Sequence, residues 1–137
     1  MTPDQNKIGI SINYLTGGLV IPEGQSAVSD TTTLGRKIGL SADDAAAWEA
    51  TLVGYGVIRP APAYFNTPRY YITDAGRAFL IMCRQSTRAW APSELLARIP
   101  EFSVFAGNEL SFYIACRLLI QSGLATTADN GATFTLT

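Results

Sequence analysis

The spacing of hydrophobic residues in the first half of the chain predicts two consecutive helices. Leu34 and Ile38 lie four positions apart and share one face of a short predicted helix, Thr31–Gly39. This helix ends in a glycine, which suits the left-handed conformation of a helix C-cap. A second helix is predicted over Ala42–Tyr55, because Ser41 can cap its free N–H groups and hydrophobic residues then recur on one face. A short turn between two helices is typical of the helix-turn-helix motif.

The next segment predicts a hairpin followed by a third helix. Val57–Ile72 has β-prone residues at both ends, with three prolines and an asparagine between them. Because proline cannot donate to a strand ladder, a stiff and wide loop is expected between two short strands. Thr73 is placed to cap a helix that runs from Asp74 to about Arg88.

The second half of the chain repeats this order of elements without repeating the residues. A short helix, a strongly apolar helix over Glu109–Gln121 and a hairpin around Asn130–Gly131 follow one another. The chain is therefore predicted to be α+β, with one unit over residues 1–90 and a second, smaller unit over residues 91–137. For residues 7–21 both a helix and a strand fit the pattern, and both stay open.

Two segments of the first unit carry a resemblance to a known family. The first is TTTLGRKIGLSADDAAAWEATLVGYGVIRP, and the second is YYITDAGRAFL. Within the second, ITDAGRAFL is similar to the L-T-x-x-G-R segment that leaves the wing and begins the next helix in winged-helix regulators of the MarR or PadR sort. Over residues 31–80 the chain resembles these proteins, which implies a helix-turn-helix, a hairpin wing and a closing helix. The second unit resembles the same fold by element order, which implies two winged-helix-like units packed in tandem.

Composition favours a binding function over catalysis. The 137 residues are 47% hydrophobic and 15% charged, with a formal net charge of −1 at pH 7. This is enough apolar material for a core, and it lacks the basic coat of many nucleic-acid-binding proteins. The chain has no histidine, which removes the commonest metal ligand and every Ser/His/Asp or Cys/His nucleophile arrangement. A non-catalytic protein without a metal or cofactor is expected.

The cysteines and the N-terminus indicate a protein of the cytoplasm. Cys83 and Cys116 both lie in apolar, helix-like runs, where a free cysteine behaves as a small buried hydrophobe. The N-terminus, MTPDQNKIG, lacks the apolar run of a secretion signal. No apolar run approaches the roughly 20 residues that span a bilayer.

The charge of the second predicted helix argues against reading DNA through it. Residues 42–54 contain no lysine or arginine and three acids, Asp43, Asp44 and Glu49. A helix in the major groove normally offers basic or amide side chains to base edges and phosphates. The leading hypothesis is therefore a regulator or adaptor that binds another protein or a second copy of itself. The alternative is a DNA-binding transcription regulator that uses the wing and a stripe of arginines.

The candidate partner-binding surface combines the outer face of this helix with the wing. Small residues four apart on the helix would let a partner approach its backbone closely, and the wing adds arginines and aromatic rings. The candidate residues are Asp43, Ala46, Ala47, Ala50, Gly54, Arg59, Tyr64, Phe65 and Arg69. For the helix face two alternatives stay open: it packs against the second unit, or its small residues simply reflect helix propensity. For the wing, the aromatic rings can instead fold back onto the core.

Arginines also recur along the predicted third helix. Arg77, Arg84 and Arg88 fall within about 40° of one another, opposite Phe79 and other apolar residues. They are expected to be exposed, either as a basic stripe for phosphates or an acidic protein surface, or as an ordinary solvated helix face.

Six large hydrophobic residues are expected to be largely buried. They are Trp48, Leu52, Phe79, Leu110, Ile114 and Leu118. The last three lie in the apolar helix over Glu109–Gln121, which is expected to be the central buried helix of the second unit.

Overall fold

The computed structural model describes residues 3–16, 26–83, 88–98 and 109–136. The helices are α1 (Pro3–Thr16), α2 (Thr31–Ile38), α3 (Ala42–Tyr55), α4 (Asp74–Cys83), α5 (Pro92–Arg98) and α6 (Glu109–Gln121). The strands are β1 (Ser26–Val28), β2 (Ile58–Tyr64), β3 (Thr67–Ile72), β4 (Ala125–Thr126) and β5 (Thr135–Leu136). One antiparallel sheet has the order β1–β3–β2, and β4 pairs with β5 in another. The protein is therefore α+β.

The structure shows that residues 7–16, for which both a helix and a strand were open, belong to helix α1. Ile8, Ile12 and Leu15 are buried along α1, and their spacing of four and then three residues follows the helix period. The rest of the ambiguous segment, residues 17–21, lies outside the described residues.

Local capping explains why α2 and α3 begin and end where they do. The Asp30 carboxylate accepts hydrogen bonds from the N–H groups of Thr32 and Thr33, and Gly39 ends α2 with φ of 76°. The Ser41 hydroxyl accepts a hydrogen bond from Asp44 N at 3.1 Å, as expected of an N-cap residue. Both predicted helices are confirmed.

The hairpin has longer strands and a tighter turn than the sequence analysis predicts. The expected wide loop is wrong: β2 and β3 are joined by Phe65 and Asn66 alone, with φ of 46° and 64°. The prolines are tolerated because β2 is an edge strand, while Pro68 of β3 lies opposite a register shift between Ala61 and Tyr64. The number of prolines therefore led to a prediction of strands shorter than those in the structure.

The central helix of the structure is α4. Thr73 caps it as expected, since its hydroxyl accepts a hydrogen bond from Gly76 N at 3.0 Å. All residues from 75 to 82 are buried, and α4 packs against both α1 and α6. A side chain at Gly76 would collide with the backbone carbonyl of Val57, so the glycine permits this close approach.

One continuous cluster of buried residues includes both predicted units. It contains Ile8 and Phe79 from the first unit and Phe112 and Phe134 from the second. The backbones of Trp90 and Phe134 also exchange two hydrogen bonds of 2.8 Å, which joins the segment near residue 90 to the C-terminal hairpin. The two units therefore share a core, and the boundary near residue 90 stays a prediction.

Helix α6 is not a central buried helix, so the core prediction is wrong for half of its residues. Leu110, Ile114 and Leu118 are 68%, 50% and 44% exposed. The buried face of α6 consists of Phe112, Ala115, Cys116 and Leu119. Because α6 is apolar on two faces, hydrophobic spacing alone does not select the one that contacts α4.

The predicted core residues of the first unit fare better. Leu52 and Phe79 are fully buried, as expected. Trp48 is only partly buried, packs against the core, and donates a hydrogen bond from Nε1 to Ser11 Oγ at 2.9 Å. None of the helices in the described ranges has both the length and the apolar character to span a bilayer.

Candidate partner-binding site

The outer face of α3 is open to solvent. Asp43, Ala46, Ala47 and Ala50 are exposed, and a Cβ added at Gly54 would meet no atom within 4 Å. The alternative in which this face packs against the second unit is therefore wrong. The small residues expected to permit close approach are accessible.

A groove lies between this helix face and the hairpin, and we call it the α3–hairpin groove. Its volume is about 370 Å³. It is lined by Ala46, Ala50 and Val53 from α3 and by Pro60, Ala61, Ala63, Pro68, Arg69 and Tyr70 from the hairpin. A groove of this size accommodates a few side chains of a partner and is mainly apolar.

The candidate residues do not all belong to the groove. Ala46, Ala50 and Arg69 line it, whereas Asp43 and Ala47 lie beside it on α3. Four others lie elsewhere: Gly54 in a second cavity, Arg59 exposed on β2, Phe65 at the turn and Tyr64 at the end of β2. The Tyr64 side chain lies outside the described part of the structure. Phe65 is 85% exposed, so the alternative in which it folds back onto the core is wrong.

Sequence reasoning missed the hairpin wall of the groove. Pro60 and Tyr70 are cross-strand partners, and so are the buried Ile58 and Ile72. Since side chains of a strand alternate between faces, residues two positions from Ile58 and Ile72 share their face. This period of two was the available signal, and the expectation of a wide loop concealed it.

A buried polar cluster holds α3 against the sheet behind the groove. Glu49 is 1% exposed and accepts a hydrogen bond from the Ser29 hydroxyl at 2.8 Å. Burial raises the pKa of the Tyr70 hydroxyl above its ordinary value, and the neighbouring Glu49 carboxylate raises that pKa further. Glu49 therefore helps to hold α3 in place, and it is buried rather than one of three surface acids that would repel phosphate. Its spacing from the buried Ala45 and Leu52 was the signal for this role.

The expectation that the arginines of the predicted third helix are exposed is wrong for Arg77, whereas Arg88 is exposed as expected. Arg77 is 2% exposed, its Nη1 donates to the Ile72 carbonyl at 2.7 Å, and its Nη2 pairs with Asp74. Arg88 lies beyond the end of α4, paired with Glu94 at 2.9 Å and stacked on Trp90. Arg84 lies outside the described residues. The helix was predicted correctly at Arg77, but the exposure of its side chain was not. Helical spacing identifies a solvent-facing side only when one exists, and residues 75–82 of α4 are all buried.

A second cavity of about 400 Å³ separates the C-terminal end of α3 from α6. Gly54, Tyr55 and Gly56 line one side, and Leu118 and Gln121 line the other. Leu118 thereby connects this cavity with the exposed apolar face of α6. Among its lining residues, Tyr55 and Asp74 carry titratable groups.

Metal ligands and cysteine thiols are the remaining candidate groups among the described residues. Among them, no group of three or more histidine, cysteine, aspartate or glutamate side chains could hold a metal ion. Burial raises the pKa of the Cys83 and Cys116 thiols to about 12, so both remain protonated at neutral pH.

Comparison with family models, with curated proteins and with solved structures found no match.

Proposed function

We propose that the protein is a non-catalytic regulator or adaptor that binds another protein, or a second copy of itself, through the α3–hairpin groove. The observation that carries this proposal is an open, mainly apolar groove of about 370 Å³ whose helix wall consists of Ala46, Ala50 and Val53. Covering exposed apolar surface of this kind with a partner removes it from water, which contributes favourable binding free energy.

We further propose that the architecture is a winged helix, with a second, smaller winged-helix-like unit in tandem. In the first unit α2 and α3 would form the helix-turn-helix, β2 and β3 the wing, and α4 the closing helix. The order α5, α6, β4 and β5 supports a similar unit in the second half. Since winged helices bind both DNA and proteins, this architecture supports a binding function without selecting the partner.

Charge favours a protein partner over duplex DNA. The solvent-exposed face of α3 carries Asp43 and Asp44 and no basic residue. The DNA-binding alternative also depends on an arginine stripe, and Arg77 of that stripe is buried in an ion pair. A DNA-binding mode would therefore lack one of the three arginines of that stripe.

The groove is tested by filling it. Ala50→Arg places a long side chain across the groove, and arginine is well tolerated at an exposed helix position. Ala47→Arg is the matched control, because Ala47 is exposed on the same helix but does not line the groove. Partners are captured from a nuclease-treated lysate of the native host with wild-type protein and each variant. We expect Ala50→Arg to lose the partner and Ala47→Arg to retain it.

Thermal melts and a DNA-binding assay complete this experiment. Equal loss of partner binding in both variants would argue against the groove, since it would reflect added charge alone. Unfolding of Ala50→Arg would show that its face is internal. A salt-dependent shift of duplex DNA, strengthened by Ala50→Arg, would favour the DNA-binding alternative.

A further inference from the structure

The hairpin has a second face, which we call its outer face, opposite the one that carries the buried Ile58 and Ile72. Arg59 pairs across the strands with Tyr71, and Ala61 pairs with Arg69. Because side chains alternate along a strand, these four residues share the face opposite the buried Ile58 and Ile72. Two arginines and a tyrosine therefore lie together on one side of the sheet.

The two arginines of this face have few partners among the described residues. The Arg59 guanidinium lies 4.4 Å from the centroid of the Tyr71 ring and is exposed. Neither Arg59 nor Arg69 forms an ion pair with a carboxylate of the described chain, and Arg69 Nε is buried without an acceptor. On the neighbouring strand, Ser26 lies opposite Tyr71 and Val28 lies opposite Arg69, so no acid is supplied from β1.

The spacing of the two arginines matches an extended chain. Arg59 and Arg69 are diagonal neighbours across an antiparallel pair, a relationship that places residues roughly 7 Å apart. Alternate residues of an extended segment are also about 7 Å apart. Carboxylates at positions i and i+2 of one segment can therefore meet both guanidinium groups, which bind carboxylates with good geometry.

We propose that the partner segment is extended and acidic, with Asp or Glu at alternate positions that pair with Arg59 and Arg69. This inference rests on the proposed function, because Arg69 also borders the α3–hairpin groove and connects the two surfaces. A short acidic peptide fits better than a nucleic acid. Asp43 and Asp44 are exposed in the first turn of α3, and their charge repels a long phosphate polymer more than a short segment.

The test is a selection from a phage-displayed library of random dodecapeptides on the immobilised full chain. Wild-type protein should enrich peptides with acids at i and i+2. The double variant Arg59→Glu with Arg69→Glu should instead enrich basic residues at those positions. Arg117→Glu is the matched control, because Arg117 is also exposed and lies 6.0 Å from an aromatic ring, that of Tyr113. Its selection profile should equal that of the wild type.

Selected peptides are then measured by fluorescence anisotropy. Charge reversal should weaken a wild-type-selected peptide about tenfold or more at low salt, and high salt should close that gap. A peptide with the same composition but adjacent acids should bind less well than the alternating peptide. The single variant Arg59→Glu, at an exposed position, gives the same direction of change if the double variant unfolds.

The outcomes separate this inference from the proposed function. If the selected peptides show no preference for acids and Ala50→Arg abolishes their binding, the groove proposal is supported and the acidic partner segment is contradicted. If acidic peptides bind Ala50→Arg as tightly as the wild type but lose affinity for the charge-reversed variant, the outer face is supported as the binding site and the groove is not. Enrichment of no peptide, or binding of duplex DNA through Arg59 and Arg69 in place of acidic peptides, would overturn the inference.

Discussion

Helices α3 and α6 are similar in length but expose different side chains: mostly small ones on α3 and large hydrophobic ones on α6. Helix α3 has 14 residues and α6 has 13, and each buries one face. On α3 the outer face is built of alanine, glycine and aspartate, and a recess lies between it and the hairpin. On α6 the outer face displays Leu110, Ile114 and Leu118. Apolar surface is thus exposed in two forms: a recess between α3 and the hairpin, and a row of large side chains on α6, which we call the ridge of α6.

This difference also decides how well each helix is predicted from hydrophobic spacing. On α3 the large apolar side chains lie on one face, so the pattern leaves one choice for the core. On α6 two faces are apolar, and the correct one depends on which fits against α4, a contact between residues distant in the sequence. Amphipathic spacing is decisive only where the second face is polar or small.

The largest effect is expected for a buried leucine of α3. Leu52→Ala should lower the free energy of unfolding by about 2–5 kcal/mol, because Leu52 is fully buried and its truncation leaves a cavity. Urea denaturation of the wild type and the variant measures this difference. A loss below about 1 kcal/mol would show that the inner face of α3 has been misassigned.

The buried faces of the two helices also differ in charge, and the expected effect of removing that charge is smaller. The inner face of α3 includes the carboxylate of Glu49, whereas that of α6 includes only the neutral thiol of Cys116 as a titratable group. Glu49→Gln should lower the pKa of Tyr70, because the negative charge that opposes ionisation is removed. That pKa should still exceed its ordinary value, since burial is the larger cause.

Ultraviolet titration of tyrosinate measures this change, with Tyr70→Phe as the control that identifies the signal. In the wild type the raised pKa of Tyr70 keeps its hydroxyl protonated in the folded state. The resulting stabilisation is complete below the unfolded pKa of about 10 and is lost as the pH rises above it. An unchanged titration in Glu49→Gln would show that the carboxylate does not act on the tyrosine.

The smallest effect is expected on the ridge of α6. Leu118→Ala removes the same atoms as Leu52→Ala, but from a side chain that is 44% exposed. Its cost in unfolding free energy should stay under about 1 kcal/mol. A cost equal to that of Leu52→Ala would remove the distinction between the two helices.

Local chemistry accounts for the elements that the sequence predicts well. Ser41, Gly39 and Thr73 mark helix ends through their own hydroxyls or backbone freedom, so α2, α3 and the start of α4 follow from neighbouring residues. Three features depend on contacts between distant residues and are missed: the burial of Arg77, the exposed side of α6 and the hairpin wall of the groove. The small residues of α3 are predicted as a candidate binding surface, with packing inside the chain left open, and the groove that some of them line depends on the hairpin.

The prolines of β2 have a consequence for how the protein behaves at high concentration. As an edge strand, β2 would normally offer a row of N–H and C=O groups on which another chain can add a strand. Pro60 and Pro62 carry no N–H group, so that row is interrupted at alternate positions. The hairpin can therefore display Phe65 at its tip while its edge resists stacking into fibres or swapped sheets.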